Sequence, residues 1–137
     1  FKSRDLTIIN DSKATSFSSS VSILNSLSNV FWIVGGLAKK GDKFLLSKND
    51  CNNSKAYIFG KNKNFFINEL KDVMKYESFV NLKLLIKKIF IDMKSNINQK
   101  HLTILFSPSA ASFDGFKNFE ERGKYFNNLI KKFHDVR

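Results

Sequence analysis

Four near-continuous apolar runs constrain the fold of this chain more than any other feature. They occupy residues 6–9, 30–34, 56–59 and 102–106, and none alternates strictly between apolar and polar side chains. A strand with one wet face alternates; a strand that is apolar throughout is covered on both faces, as in parallel sheets. Helical periodicity fills the gaps between the runs. Phe17, Val21, Leu24 and Leu27 share one face after the first run, and Phe65, Phe66 and Leu70 mark a short helix after the third. A stripe of Leu82, Leu85, Ile86, Ile89, Phe90 and Met93 precedes the fourth run, and a weaker strand is expected over residues 75–79. The final helix is expected to bury Phe119, the stem of Arg122, Phe126, Ile130 and Phe133. The fold class that follows is α/β, a doubly wound and mostly parallel sheet with helices on both faces.

Local signals place the element ends. Thr15 or Ser16 can cap the first helix, and Asn118 followed by Glu121 three residues on forms a capping-box pattern at the last one. Gly35-Gly36 and Gly60 close the second and third strands.

At 137 residues the chain is expected to be a single domain spanning 1–137, with enough length for a sound core. Its first residues, Phe1-Lys2-Ser3-Arg4-Asp5, lack an initiator methionine and a leader, so a cut from a longer protein is expected. No apolar run approaches the roughly 18 residues of a membrane span, so no membrane association is expected. Cys51 is the only cysteine, which leaves no disulfide framework and no metal cluster and favours a cytoplasmic setting. The net charge of +11 invites a nucleic-acid partner. Against that, only Arg4, Arg122 and Arg137 supply the guanidinium fork that phosphate and base recognition favours, and the lysines are spread along the chain. Compositional drift toward Lys, Asn, Ile and Phe accounts for the charge better.

Two loops stand apart because each replaces an apolar run abruptly with hydroxyls, small residues and charge. One is Asn10-Asp11-Ser12-Lys13-Ala14-Thr15; the other runs from Ser107-Pro108 to Gly123. Open α/β sheets place ligands beyond the carboxyl ends of their strands, where such loops lie. Asp11, Lys13 and Thr15 also suit an Asx-type turn and helix cap. The segment from Gly36 to Lys43 has phosphate-loop glycine spacing, but Asp42 and Lys43 stand where the motif needs Lys and then Ser or Thr, so a phosphate loop is rejected. Lys39 and Lys40 there suit either an anionic ligand or a solvated turn. Ser107, Ser109 and Ser112 lack a nucleophile elbow, and neither His101 nor His134 is placed as a general base.

Taken together these segments resemble the carboxyl-terminal domain of the Mur ligases. Asn10 to Thr15, Gly35-Gly36 with Lys39, Ser107-Pro108 with Ala111-Ser112-Phe113-Asp114, and Phe116-Lys117-Asn118-Phe119-Glu120-Glu121-Arg122-Gly123 follow the family's order and approximate spacing from end to end. Ser12-Lys13 replaces the histidine-bearing segment of other Mur ligases and of folylpolyglutamate synthases, which points to the D-glutamate-adding branch. Ser109-Ala110, Gly115 and Ser16 depart from the common Ala-Cys, Gln and Asn, away from the carried-over contacts.

The resemblance implies a ligase that activates the carboxylate of UDP-N-acetylmuramoyl-L-alanine with ATP and Mg2+, then lets the amine of D-glutamate attack the acyl phosphate. Thr15, Lys39 and Ser112 would hold the D-glutamate carboxylates, with the backbone near Phe113 and Phe119. Asp11 would lie near the ribose of ATP and Lys13 near its terminal phosphate. Magnesium and most of the nucleotide would belong to a preceding domain, so the chain holds no metal ligand and no catalytic residue of its own. It would be one third of a monomeric cytoplasmic enzyme, inactive alone. The competing reading is a non-catalytic basic α/β module that binds an anionic partner such as nucleic acid. If the charge is compositional, duplex DNA binding will be weak, sequence-independent and steeply lost with added salt; sequence-selective binding at physiological salt, measured by fluorescence anisotropy, would promote the module instead.

Overall fold

A computed structural model of the chain describes residues 6–51, 53–95, 101–111 and 115–136. In chain order the elements are β1 (Leu6–Asn10), α1 (Phe17–Ser26), β2 (Val30–Gly35), β3 (Ser54–Phe59), α2 (Lys63–Leu70), β4 (Lys75–Ser78), α3 (Leu82–Lys94), β5 (Leu102–Phe106) and α4 (Phe119–Val136). The five strands form one sheet in the order β1-β5-β2-β3-β4, and every pairing is parallel.

The unbroken apolar character of β2 and β5 follows from their place. Both lie inside the sheet, and every residue of each is buried. Successive side chains go to opposite faces. Phe31 and Ile33 join Leu85, Ile86, Ile89, Phe126 and Ile130 of α3 and α4 on one face, while Val30, Trp32 and Val34 meet Phe17, Leu24, Phe66 and Leu70 of α1 and α2 on the other. The sheet is therefore covered on both sides, as the sequence pattern requires. No described helix is long and apolar enough to cross a membrane.

Phenylalanine supplies much of both cores. Phe106 stacks on Phe126 with ring centroids 4.3 Å apart. On the opposite face Phe17 contacts Phe44, Phe65, Phe66 and Trp32 at 5.4–6.4 Å. Tilted and edge-to-face pairs at such separations add to the area they bury.

Three local expectations are corrected. The connection from β2 to β3 carries no α-helix; a 3-10 turn at Lys48–Cys51 serves instead, with Phe44 and Leu46 packed on the core. Neither Thr15 nor the hydroxyl of Ser16 caps α1. The Phe17 amide donates to Asp42 Oδ2 at 2.8 Å, and Ser16 Oγ pairs with the hydroxyls of Ser18 and Ser19. The acid that spoils a phosphate loop at residue 42 thus caps a helix from a distant loop. Phe119 is not part of the buried stripe of α4 but 41% exposed, because the first turn overhangs the core and burial begins at Arg122. Cys51 is buried, and burial together with the nearby Asp50 charge pushes its thiol up to about 11, which makes it unreactive at neutral pH.

The edge strand β4 is short and mostly exposed, with Lys75 and Glu77 discouraging further strand pairing. It is pinned to α3 by a charge cluster. Asp92 accepts from Lys88 at 2.6 Å, from Tyr57 Oη at 2.6 Å and from Lys55 at 3.1 Å, while Lys55 also reaches Glu77 at 3.0 Å. Burial alone would raise the Asp92 carboxyl, but donation by Lys88, Tyr57 and Lys55 outweighs it and holds the group below the usual carboxylate range. A depressed carboxyl stabilises the fold above its unfolded value, near 4, and the gain is lost as pH falls through the folded value. Asp92→Asn should lower the urea midpoint at pH 7, by about 1–2 kcal/mol of stability, and the gap from the parent should close below about pH 4. A gap that does not narrow at all as pH is lowered from neutral into the strongly acid range would show that the charge of Asp92 is not the source.

Candidate functional site

The register of the sheet brings the two singled-out loops together. Asn10, the last residue of β1, pairs with Phe106, the last of β5, so both loops leave the carboxyl edge side by side. The Asp11 amide then donates to the Phe106 carbonyl at 2.7 Å. On its other side β5 pairs with β2, and the contact continues past the strand ends. Ser107 N donates to Ile33 O at 3.3 Å, Gly35 N to Pro108 O at 2.9 Å, and Leu37 and Ala111 exchange amide bonds at 3.2 and 2.9 Å. Segments 10–15, 35–41 and 107–111 therefore form one continuous surface at the end of the sheet.

The two glycines after β2 make this approach possible. A Cβ on Gly35 would lie 2.0 Å from the Phe59 carbonyl oxygen, and one on Gly36 would lie 2.9 Å from that of Ala111. Both have φ in the range that L side chains avoid, +142° and +127°.

Arg122 fastens the loops from beneath. It projects from α4 into the interior, 1% exposed, and its fork spans both segments. Nε donates to Ser12 Oγ at 3.0 Å, Nη1 to Ala110 O at 2.8 Å, and Nη2 to the Ser12 carbonyl. Ser12 Oγ in turn donates to the Phe119 carbonyl at 2.8 Å, which ties the start of α4 to the same point. Asn10 Nδ2 adds bonds to Gly123 O and Asn127 Oδ1, both at 2.9 Å. Asn118 caps α4 by accepting from the Glu121 amide at 2.8 Å, whereas Glu121 reaches back to the amide of Lys117. All described acceptors around Arg122 are neutral. Burial pushes its guanidinium down to about 10, still a cation at neutral pH.

Above this clamp the carried-over side chains point outward. Lys13, Thr15 and Lys39 are exposed, and their side chains engage no other described residue by hydrogen bond or ion pair. Asp11 differs: it is buried to 8% exposure and accepts from Ser107 Oγ at 2.9 Å through Oδ2. The Phe119 ring lies at the open edge, but its carbonyl is committed to Ser12. Ser112 and Phe113 lie outside the described residues. His101 is exposed and bonds Thr7 at the opposite, amino end of the sheet. An open cavity of about 600 Å3 lies further along the carboxyl edge, lined by Phe59, Lys61, Asn81, Phe116, Glu121 and Tyr125 among others, none of them a carried-over contact.

Sequence reasoning missed the structural roles of Ser12, Ser20 and Arg122. Arg122 carried a signal, since an arginine in the apolar stripe of a helix must find partners inside. The other two had none that local pattern could supply.

No family model matches the chain. Among curated proteins it is 35% identical over 125 residues to the UDP-N-acetylmuramoylalanine–D-glutamate ligase of Rickettsia bellii, covering 91% of the chain and 28% of that protein. It is 38% identical to the enzyme of the same name from Wolbachia pipientis (95% and 25% covered), and 40% identical to that of Prochlorococcus marinus (96% and 29%). The chain thus spans between a quarter and a third of the length of the curated relatives it matches.

Arg122→Ala should leave the Ser12 and Ala110 carbonyls without their donor and lower stability by about 3 kcal/mol or more in urea titration. Arg122→Lys should recover less than half of that, because an ammonium cannot span both carbonyls as the fork does. Full recovery by lysine would mean that charge alone, not bidentate geometry, holds the loops.

Proposed function

The chain belongs to the family of UDP-N-acetylmuramoylalanine–D-glutamate ligases, and from that premise we propose that it is the carboxyl-terminal domain of such an enzyme, the part that receives D-glutamate and closes on ATP. The observation that carries the reading is the gathering, on one carboxyl edge, of exposed Lys13, Thr15 and Lys39 on loops whose interior hydrogen bonds are already satisfied. Groups held this way are ready to bind without rearranging the loops beneath them, which lowers the ordering cost of binding.

Lys39 offers a compact positive charge to a ligand carboxylate. The hydroxyl of Thr15, that of Ser112 and backbone amides near Phe113 and Phe119 complete the coordination, as charge-assisted hydrogen bonds do. Cations around the amino acid also favour its free amine over the ammonium, and only the free amine can attack an activated carboxyl. Lys13, beyond β1, suits the terminal phosphate of ATP, where charge develops during transfer, and Asp11 suits a ribose hydroxyl. Residues of this chain orient the amino acid against the activated carboxyl and contribute the proximity term. No Mg2+ ligand is assigned to this chain. UDP-N-acetylmuramoyl-L-alanine, magnesium and the rest of the nucleotide fall to the remainder of the ligase, so the chain alone is inactive. The openness of the Lys39 and Thr15 surface fits a site completed by another part of the same enzyme.

Steady-state kinetics of the full-length ligase, with each substrate varied in turn, test the assignment. Lys39→Ala should cost about 2–5 kcal/mol in the use of D-glutamate if the site is desolvated. Ser112→Ala should cost about 1–2 kcal/mol. Lys13→Ala should instead depress the phosphoryl-transfer step and leave the D-glutamate KM near that of the parent. If Lys39→Ala leaves D-glutamate dependence unchanged, this loop does not form the amino-acid site.

A further inference from the structure

Beneath the candidate site four polar side chains from three separate segments form a buried chain. Ser20 of α1, fully buried, lies within hydrogen-bond reach of Ser107 Oγ and 2.6 Å from Ser109 Oγ, and Ser107 Oγ is 2.9 Å from Asp11 Oδ2. The direction of the chain is set by chemistry. An ionised carboxylate only accepts, so the Ser107 proton points to Asp11. Ser107 Oγ can then only accept from Ser20, and Ser20 in turn accepts from Ser109. The competing acceptor, the Ser107 carbonyl, already takes Trp32 Nε1 at 2.8 Å and lies farther away, 3.3 Å from Ser20 and 3.4 Å from Ser109. Every hydroxyl dipole therefore points the same way, toward Asp11, and hydrogen bonds aligned head to tail reinforce one another.

The backbone is shaped to make this chain. Ser109 adopts the left-handed conformation, φ 59°, which a non-glycine residue rarely takes and which must be held by its surroundings. The relay engages Oδ2 of Asp11, and no described residue donates to Oδ1. We propose that Ser20, acting through Ser107, is a positioning residue that holds the Asp11 carboxylate by Oδ2 and so presents Oδ1 to the nucleotide. This rests on the reading that Asp11 faces ATP and extends it to a residue on α1 that touches no substrate. Loss of the relay frees the carboxylate to rotate about its side chain, so the cost appears in nucleotide binding and not in D-glutamate binding.

The test is steady-state kinetics of the full-length ligase with ATP varied and the other substrates saturating. Ser107→Ala should raise the ATP KM most, Ser20→Ala by about 3- to 10-fold, the range expected of one lost hydrogen bond, and Ser109→Ala by about 2-fold. The D-glutamate KM should stay within about 2-fold of the parent throughout, whereas a merely structural serine would shift both substrates together as the domain loosens. In an Asp11→Ala background, Ser20→Ala should have no further effect on the ATP KM, because the two residues act as one unit. If Asp11→Ala raises the ATP KM and Ser20→Ala does not, or does so equally in both backgrounds, the relay has no positioning role. If Asp11→Ala itself leaves the ATP KM unchanged, Asp11 does not face ATP, and the relay falls with that reading. Should Ser20→Ala fail to fold, the ratio between Ser107→Ala and Ser109→Ala in the two backgrounds decides the matter in the same way.

Discussion

The Arg122 guanidinium sits beneath the carboxyl edge of the sheet with Ser12 on one side and Ala110 on the other, and the arrangement of that edge depends on it. A buried cation is costly unless its N–H groups are satisfied. Here they are satisfied by backbone carbonyls and one hydroxyl, so the loops can move away only by stranding a charge inside the protein. Carbonyl acceptors are also less specific to side-chain identity than a carboxylate. The segments above are thus held by main chain, and the side chains at residues 13, 15 and 39 are left for other work.

Around this clamp the remaining constraints act at different depths. Gly35 and Gly36 let the backbone after β2 approach Phe59 and Ala111 more closely than any side chain would allow. Trp32, fully buried in the core below, sends its indole N–H up to the Ser107 carbonyl. The core therefore contributes directly to the geometry of the loop above it. The Asp42 cap ties the loop carrying Lys39 back to the start of α1. The outcome is a rigid floor with solvated charges on top, which is how a site keeps its side chains aligned without burying them.

The parts of this arrangement that local sequence exposes are those whose cause is local. The run at residues 102–106 corresponds residue for residue to β5, because an interior strand must be apolar on both faces and nothing else in the vicinity competes. The weaker signal over residues 75–79 became the short edge strand β4, where exposure permits Lys75 and Glu77 and blurs the pattern. Asn118 behaves as a cap because the amide it serves is three residues away. By contrast, the cap of α1 comes from Asp42, 25 residues from Phe17, and no inspection of residues 15–20 alone would find it. Phe119 satisfies the helical period of its neighbours yet lies in the open, since periodicity predicts a face of the helix but not where that helix first meets the core.

Family membership was likewise legible in the order of short segments along the chain, and similarity to ligases over more than nine-tenths of its length agrees with it. Residue order alone determined the two-sided parallel sheet, the strands and helices, and the loops at which ligands would be sought, because apolar periodicity and turn chemistry act over a few residues. Which groups are spoken for and which stand free was settled by folding. Ser12 meets Arg122 across 110 residues, Ser107 meets Asp11 across 96, and Ser20 meets Ser107 across 87. Hydrogen bonds between such partners depend on strand order and register, which place β5 between β1 and β2, and so they exist only once the whole sheet has formed.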